Sequence, residues 1–179
     1  MIFSITVSAT KWVELKPQEV VDRAEVIVIG KYNFSSKPIK SSLLFQGYDF
    51  NVSNAYKGDT SKKIIVGINE NDTGWAEEYQ DEGGEFLLFL EESEDAKFLV
   101  PVAGPNGMIQ ISNGKVDEPN NERKTFFEDF LKTSPEKAIR TTMEPANEKS
   151  KTNLLLYSSA IMLIVFTILF LLLRYRRKK

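Results

Sequence analysis

Glu25-Val26-Ile27-Val28-Ile29-Gly30-Lys31-Tyr32 is the stretch from which the fold of this chain can be read. Consecutive β-branched residues are stiff at χ1 and pack well on a pleated backbone, so the run predicts a buried strand, ended by glycine. Just upstream, Lys16-Pro17-Gln18-Glu19-Val20-Val21-Asp22-Arg23-Ala24 predicts a short helix. Proline suits its first turn, Glu19 suits the positive end of its dipole, and Val20, Val21 and Ala24 make a small apolar face.

Downstream the strand signals continue. Tyr48-Asp49-Phe50-Asn51-Val52-Ser53 alternates apolar with polar residues, the period of a half-buried strand, and Tyr56-Lys57-Gly58-Asp59 turns the chain. Further strands are expected over 63–68, over 85–90 after Gly83-Gly84, and over 98–102, where Pro101 suggests an edge or a bulge. Pro105-Asn106-Gly107 leads into a strand over 108–112, and Asn113-Gly114 is a strong hairpin turn before Lys115-Val116. Phe126, Phe127, Phe130 and Leu131 then fall on one helical face, opposite Glu128, Asp129 and Lys132. Such a short helix must pack on the strands to persist. The expected fold class is mainly β: a small antiparallel barrel, closed or nearly so, with short flanking helices and a C-terminal transmembrane α-helix.

That last helix is predicted over 154–173, LLLYSSAIMLIVFTILFLLL, which holds no charged residue. About 20 apolar residues at 1.5 Å rise span roughly 30 Å, the thickness of a hydrocarbon core. Arg174, Arg176, Arg177, Lys178 and Lys179 follow at once, and an excess of Lys and Arg marks the cytoplasmic side. The sequence therefore predicts a single-pass protein of the cell membrane, its partner the lipid bilayer, with the N-terminal domain outside. Residues 1–9 are expected to be a signal-peptide remnant, Val7-Ser8-Ala9 being a small-residue cleavage pattern; the alternative is a first strand carrying Ile2, Ile5 and Val7. The exterior domain is placed at 10–132. Residues 133–153, rich in Pro, Glu, Lys, Thr and Asn, are expected to be a polar stalk, and 174–179 the cytoplasmic tail.

Charge and composition narrow the function. The chain has 23 Lys and Arg against 25 Asp and Glu, and five of the cations lie in the tail. The part preceding the anchor therefore carries about −7, which argues against nucleic acid as a partner. Cysteine and histidine are both absent. Disulfides, thiolate metal sites, the usual general base and the commonest metal ligand are thereby removed. Serine has no histidine to activate it, and no GxSxG or Ser-x-x-Lys motif occurs. No catalytic, cofactor-binding or metal-binding residue is expected.

Four segments, in order over roughly residues 15–118, resemble the bacterial netrin-like (tissue-inhibitor-of-metalloproteinase-like) proteins. Asp22-Arg23-Ala24-Glu25-Val26-Ile27-Val28-Ile29-Gly30-Lys31 is similar to the family's entry strand. Phe50-Asn51-Val52 with Tyr56-Lys57-Gly58 is similar to its next strand and turn. Gly84-Glu85-Phe86-Leu87-Leu88-Phe89-Leu90 and the hairpin from Gly107 to Val116 follow its later strands. The resemblance implies a barrel of the oligonucleotide/oligosaccharide-binding type and a bacterial setting; the expected localisation is a Gram-positive cell membrane. It does not carry metalloprotease inhibition with it, because the animal inhibitors chelate zinc through an N-terminal cysteine that this chain lacks. Nor is there the basic groove that nucleic-acid binding by such a barrel needs.

The remaining unusual feature is an acid run. Glu70, Asp72, Glu77, Glu78, Asp81, Glu82, Glu85, Glu91, Glu92, Glu94 and Asp95 occur with no Lys or Arg among them. A field of this kind attracts cations or basic partner surfaces; its ordinary reading is a solvated loop. Asn69-Glu70-Asn71-Asp72-Thr73-Gly74 is faintly like a calcium loop, but Gln80 stands where the bidentate glutamate belongs. Trp12 and Trp75 are read first as core and second as contacts. The functional expectation is a membrane-anchored, extracytoplasmic binding module for a protein or envelope component. A subunit acting through its helix is the alternative, and a cell-surface hydrolase a more distant one.

Overall fold

The computed structural model describes residues 12–41 and 44–140. The signal-peptide remnant, the transmembrane helix and the basic tail expected at 1–9, 154–173 and 174–179 lie outside the described residues. Among those described, no helix is long and apolar enough to cross a membrane.

The chain begins with helix α1 (Pro17–Arg23), strand β1 (Val26–Asn33), β2 (Ile39–Lys40), β3 (Phe45–Lys57) and β4 (Lys63–Asn69). A 3-10 turn (Glu70–Asp72) leads into α2 (Thr73–Asp81), then β5 (Glu85–Glu91) and β6 (Val100–Pro101). A second 3-10 turn (Gly104–Gly107) precedes β7 (Met108–Ser112), β8 (Lys115–Val116) and α3 (Asn121–Thr133).

The strands form one mainly antiparallel, open sheet in the order β2-β3-β1-β5-β7-β8, with β4 on β3 and β6 on β5. The closed or nearly closed barrel expected from the strand count is therefore corrected. No ladder closes the ends; β4 meets the β6 region through one isolated parallel bridge, Val66 to Leu99, where the Gly67 N–H donates to the Leu99 carbonyl at 2.8 Å. The physical reason lies in β6. It is two residues long, and Pro101 has no N–H with which to extend a ladder.

The central strands β1 and β5 are buried on both faces, which is why their sequences run on without alternating. Val28, Tyr32, Phe86, Leu88 and Leu90 enter one core with Phe50, Val66 and Ile68, covered by Ala76 of α2. Ile27, Ile29, Leu87 and Phe89 enter a second core, closed by Val20 of α1 and Phe127 of α3. At Gly30 the β1–β3 register shifts, and a Cβ there would stand 2.0 Å from the Asn51 carbonyl oxygen; only glycine permits that approach.

Both entry and exit are tied down. Before α1, the Asn106 side chain accepts from the Leu15 N–H at 3.1 Å and donates to the Val13 carbonyl at 3.0 Å. It thus imitates a neighbouring strand. After α3, the polar stretch read as a stalk from 133 begins as a segment on the sheet: the Lys137 N–H donates to the Ala55 carbonyl at 2.7 Å. The rest of that stretch, from residue 141 on, lies outside the described residues.

Candidate functional site: an acidic and aromatic face on α2

Asn69 starts the region. Only 4% exposed, it accepts from the Asn71 N–H at 2.9 Å through its side chain, and its carbonyl accepts from the Thr73 hydroxyl at 3.3 Å. The first bond caps the 3-10 turn by satisfying an N–H that a helix start leaves open. Helix α2 follows that turn, in a stretch whose acid residues read as a solvated loop. Its signal is nonetheless present: Trp75, Ala76, Tyr79 and Gln80 repeat the spacing of Phe126, Phe127, Phe130 and Leu131 in α3. Two members, Ala and Gln, are too small or too polar to advertise a face.

Each of the four has a place. Ala76 is fully buried. Trp75 and Tyr79 both meet the Phe86 ring, with centroids at 5.5 and 5.4 Å. Gln80 accepts from the Tyr32 N–H at 2.7 Å and donates to the Tyr32 carbonyl at 2.9 Å. β1 has by then lost its β5 partner, whose ladder ends at Gly30–Phe86. A side-chain amide therefore continues the pairing, and this is the work done by the residue that spoils the calcium-loop pattern.

The acid run divides between the two ends of β5. Glu70, Asp72, Glu77, Glu78, Asp81 and Glu82 lie before the strand, on or beside α2. Glu91, Glu92, Glu94 and Asp95 lie at its far end, about 20 Å away at 3.3 Å per residue. Glu85 opens the strand. In the far group Glu91 takes a bidentate ion pair from Arg23, with contacts at 2.6 and 2.9 Å to one guanidinium nitrogen. The Glu92 N–H donates to the Glu25 carboxylate at 3.3 Å. By contrast, no ion pair among the described residues involves any of the six near α2. No group of three carboxylates among the described residues is placed to hold a metal ion.

Beside these six carboxylates stand exposed apolar side chains, Trp75 at 36% and Leu44 at 42%. The Leu44 carbonyl accepts from the Glu70 N–H at 3.3 Å, which fixes the two together. The field is felt by neighbouring phenols. Burial pushes the Tyr48 phenol up, and Glu77 and Glu70 add to it. Tyr32 is raised chiefly by burial and further by Asp72. Tyr79 is pushed up to about 12 by burial and then by Asp117. Its hydroxyl is buried with no hydrogen-bond partner among the described residues.

A cleft of about 550 Å³ lies elsewhere, between the segment before α1 and the start of α3, lined by Leu15, Pro17, Asn120, Arg123 and Phe126 among others. Its half-buried cation, Arg123, is already engaged. Arg123 pairs with Glu118 at 3.3 Å, donates to the Asn106 carbonyl at 3.3 Å, and lies 5.3 Å from the Phe127 ring centroid. The basic residues 174–179 that set the expected topology lie outside the described residues. Compared with family models, with curated proteins and with solved structures, the chain matches none of them.

Proposed function

We propose that this chain is a membrane-anchored, extracytoplasmic interaction module whose working surface is the outer face of α2. One observation carries the reading: Glu70, Asp72, Glu77, Glu78, Asp81 and Glu82, on or beside α2, have no ion-pair partner among the described residues, and Trp75 at the start of that helix keeps 36% of its exposure. A partner segment bearing Lys or Arg would find unpaired carboxylates there, and the exposed Trp75 and Leu44 offer apolar contact. Nucleic acid is the wrong sign for this surface.

The membrane side of the reading rests on sequence, on the uncharged stretch 154–173 and the cations at 174–179. For family, we favour an opened-out relative of the netrin-like proteins. In support, the four similar segments fall on β1, on β3 and its turn, on β5, and on the β7–β8 hairpin. Binding is favoured over catalysis because the face offers fixed charge and an aromatic ring, with no histidine or cysteine in the chain to act as base or nucleophile.

The test is crosslinking in the native host with the full chain, alongside Glu77→Lys/Glu78→Lys and a chain whose 154–173 is replaced by an unrelated anchor. The reading expects a captured partner that the charge reversal loses and the anchor swap keeps. Loss with the anchor swap alone would instead favour a subunit acting through its helix. Proteolysis of the domain only after the cells are opened would sink the outward orientation.

A further inference from the structure

The segment after α3 is not part of the α2 face, yet it is bound to β3 at 136–137 and to the turn after β3 at 140. The Ser134 N–H still donates to the Phe130 carbonyl at 2.9 Å, and Pro135 then turns the chain out of the helix. Residues 136–137 meet the outer edge of β3, and Arg140 meets the turn between β3 and β4. Asn54 donates to the Glu136 carboxylate at 2.9 Å, and the Lys137 N–H donates to the Ala55 carbonyl at 2.7 Å. The Arg140 N–H donates to the Thr60 carbonyl at 3.0 Å, and the Lys62 N–H returns to the Arg140 carbonyl at 3.4 Å. The Arg140 guanidinium closes on the Asp59 carboxylate.

These bonds cover a sheet edge that would otherwise offer unpaired backbone. Their apolar support is slight. Ile139 alone of this segment packs against the neighbouring core, and only in part. The side chains of Arg140 and Asp59 keep 51% and 64% of their exposure. Segments with few buried apolar contacts and solvent-exposed hydrogen bonds open at far lower free energy than the core strands beside them.

We propose that residues 134–140 form a releasable strap, latched by Arg140 on Asp59, which opens without unfolding the sheet and uncovers the β3 edge near Ala55. Salt weakens the latch, because an exposed ion pair is screened. Open, the strap adds roughly 20 Å of extended chain to the free part of the stalk. That last consequence rests on the membrane reading; the latch itself does not.

Hydrogen exchange of the full chain in detergent micelles, read by mass spectrometry, tests it. The amides of Lys137, Arg140 and Lys62 are expected to open well before those of β1 and β5, and faster still at high salt. Asp59→Asn should speed the strap amides about two- to fivefold, the range an exposed ion pair supports, with β5 unchanged. The charge swap Asp59→Arg/Arg140→Asp should restore protection. Strap amides as slow as those of β5, or as fast as free chain, would overturn the proposal. So would equal acceleration of every amide by Asp59→Asn, or a swap that restores nothing. Failure on these counts in a chain that still fractionates with membranes sinks the strap alone; a chain found free of membranes sinks the anchor alone.

Discussion

Gly47 and Gly67 face each other across the β3–β4 ladder, and the Phe98 ring covers both. A Cβ on Gly47 would stand 2.7 Å from Phe98 Cδ1, and one on Gly67 would stand 2.8 Å from its Cε2. Two positions of low strand propensity thus become the floor for an aromatic side chain that is 9% exposed. Gly47→Ala and Gly67→Ala should each cost about 1–3 kcal/mol by forcing the ring away, measured by urea denaturation. In a Phe98→Ala background the same substitutions should cost less, because the ring clash is gone and only the contacts with Ile65 Cγ2 at 2.9 Å and Val100 Cγ1 at 3.0 Å remain; full additivity would contradict the arrangement.

Gln80 should behave as a structural residue despite its place on a charged helix. Gln80→Ala leaves the Tyr32 N–H and carbonyl without the side chain that pairs them, at a cost of about 1–3 kcal/mol. Gln80→Glu removes the donor and sets a carboxylate against the Tyr32 carbonyl, so it should not rescue. The Tyr32 amide should lose exchange protection in both, and an unchanged amide would sink the pairing.

Tyr79 makes a prediction about pH. Its pKa is raised from 10 to about 12, so the folded state prefers the neutral phenol. The stability this contributes is present in full below about pH 10 and is lost as pH rises towards about 12. Tyr79→Phe should therefore flatten part of the alkaline fall in melting temperature. At neutral pH it should be neutral or slightly stabilising, since the hydroxyl is buried without a partner. A loss above about 1 kcal/mol at pH 7 would reveal a hydrogen bond of real value there.

Phe127 is the lock of the second core, fully buried between the sheet and α3 and in ring contact with Phe89 at 5.2 Å. Phe127→Ala should cost about 3–5 kcal/mol, well above any substitution on the exposed side of the same helix. Thr125→Ala, at an exposed position, should by comparison change stability by less than about 0.5 kcal/mol.

Much of the sheet is legible in the sequence because its determinants are local. β1 and β5 announce themselves as apolar runs, β3 alternates, and Asn113-Gly114 makes the β7–β8 turn with both residues at positive φ. Other features have determinants distant in sequence. The open sheet depends on a two-residue β6 that fails to pair further, which no run of strand formers discloses. α2 hides because half of its inward face is Ala76 and Gln80, whose roles are close packing and an amide clamp. The segment 134–140 is held mostly by backbone hydrogen bonds and one ion pair, so hydropathy has nothing there to report. Six acidic residues of the candidate face could be named in advance, but their separation from the other four needs the length of β5 between them. The same is true of the Arg23 that occupies Glu91.

The β1–β5 ladder has a bearing on how the molecule is made. It joins Val26 to Leu90 and Gly30 to Phe86, partners roughly sixty residues apart, so β1 must wait for β5 before the centre of the sheet can assemble. Closing so long a loop is entropically costly and comparatively slow. While it is pending, the Val26–Ile29 run is exposed, a short β-prone segment without charge that invites pairing with other chains. Conditions that delay β5, such as truncation of the nascent chain before residue 90, should therefore trade yield of native protein for aggregate.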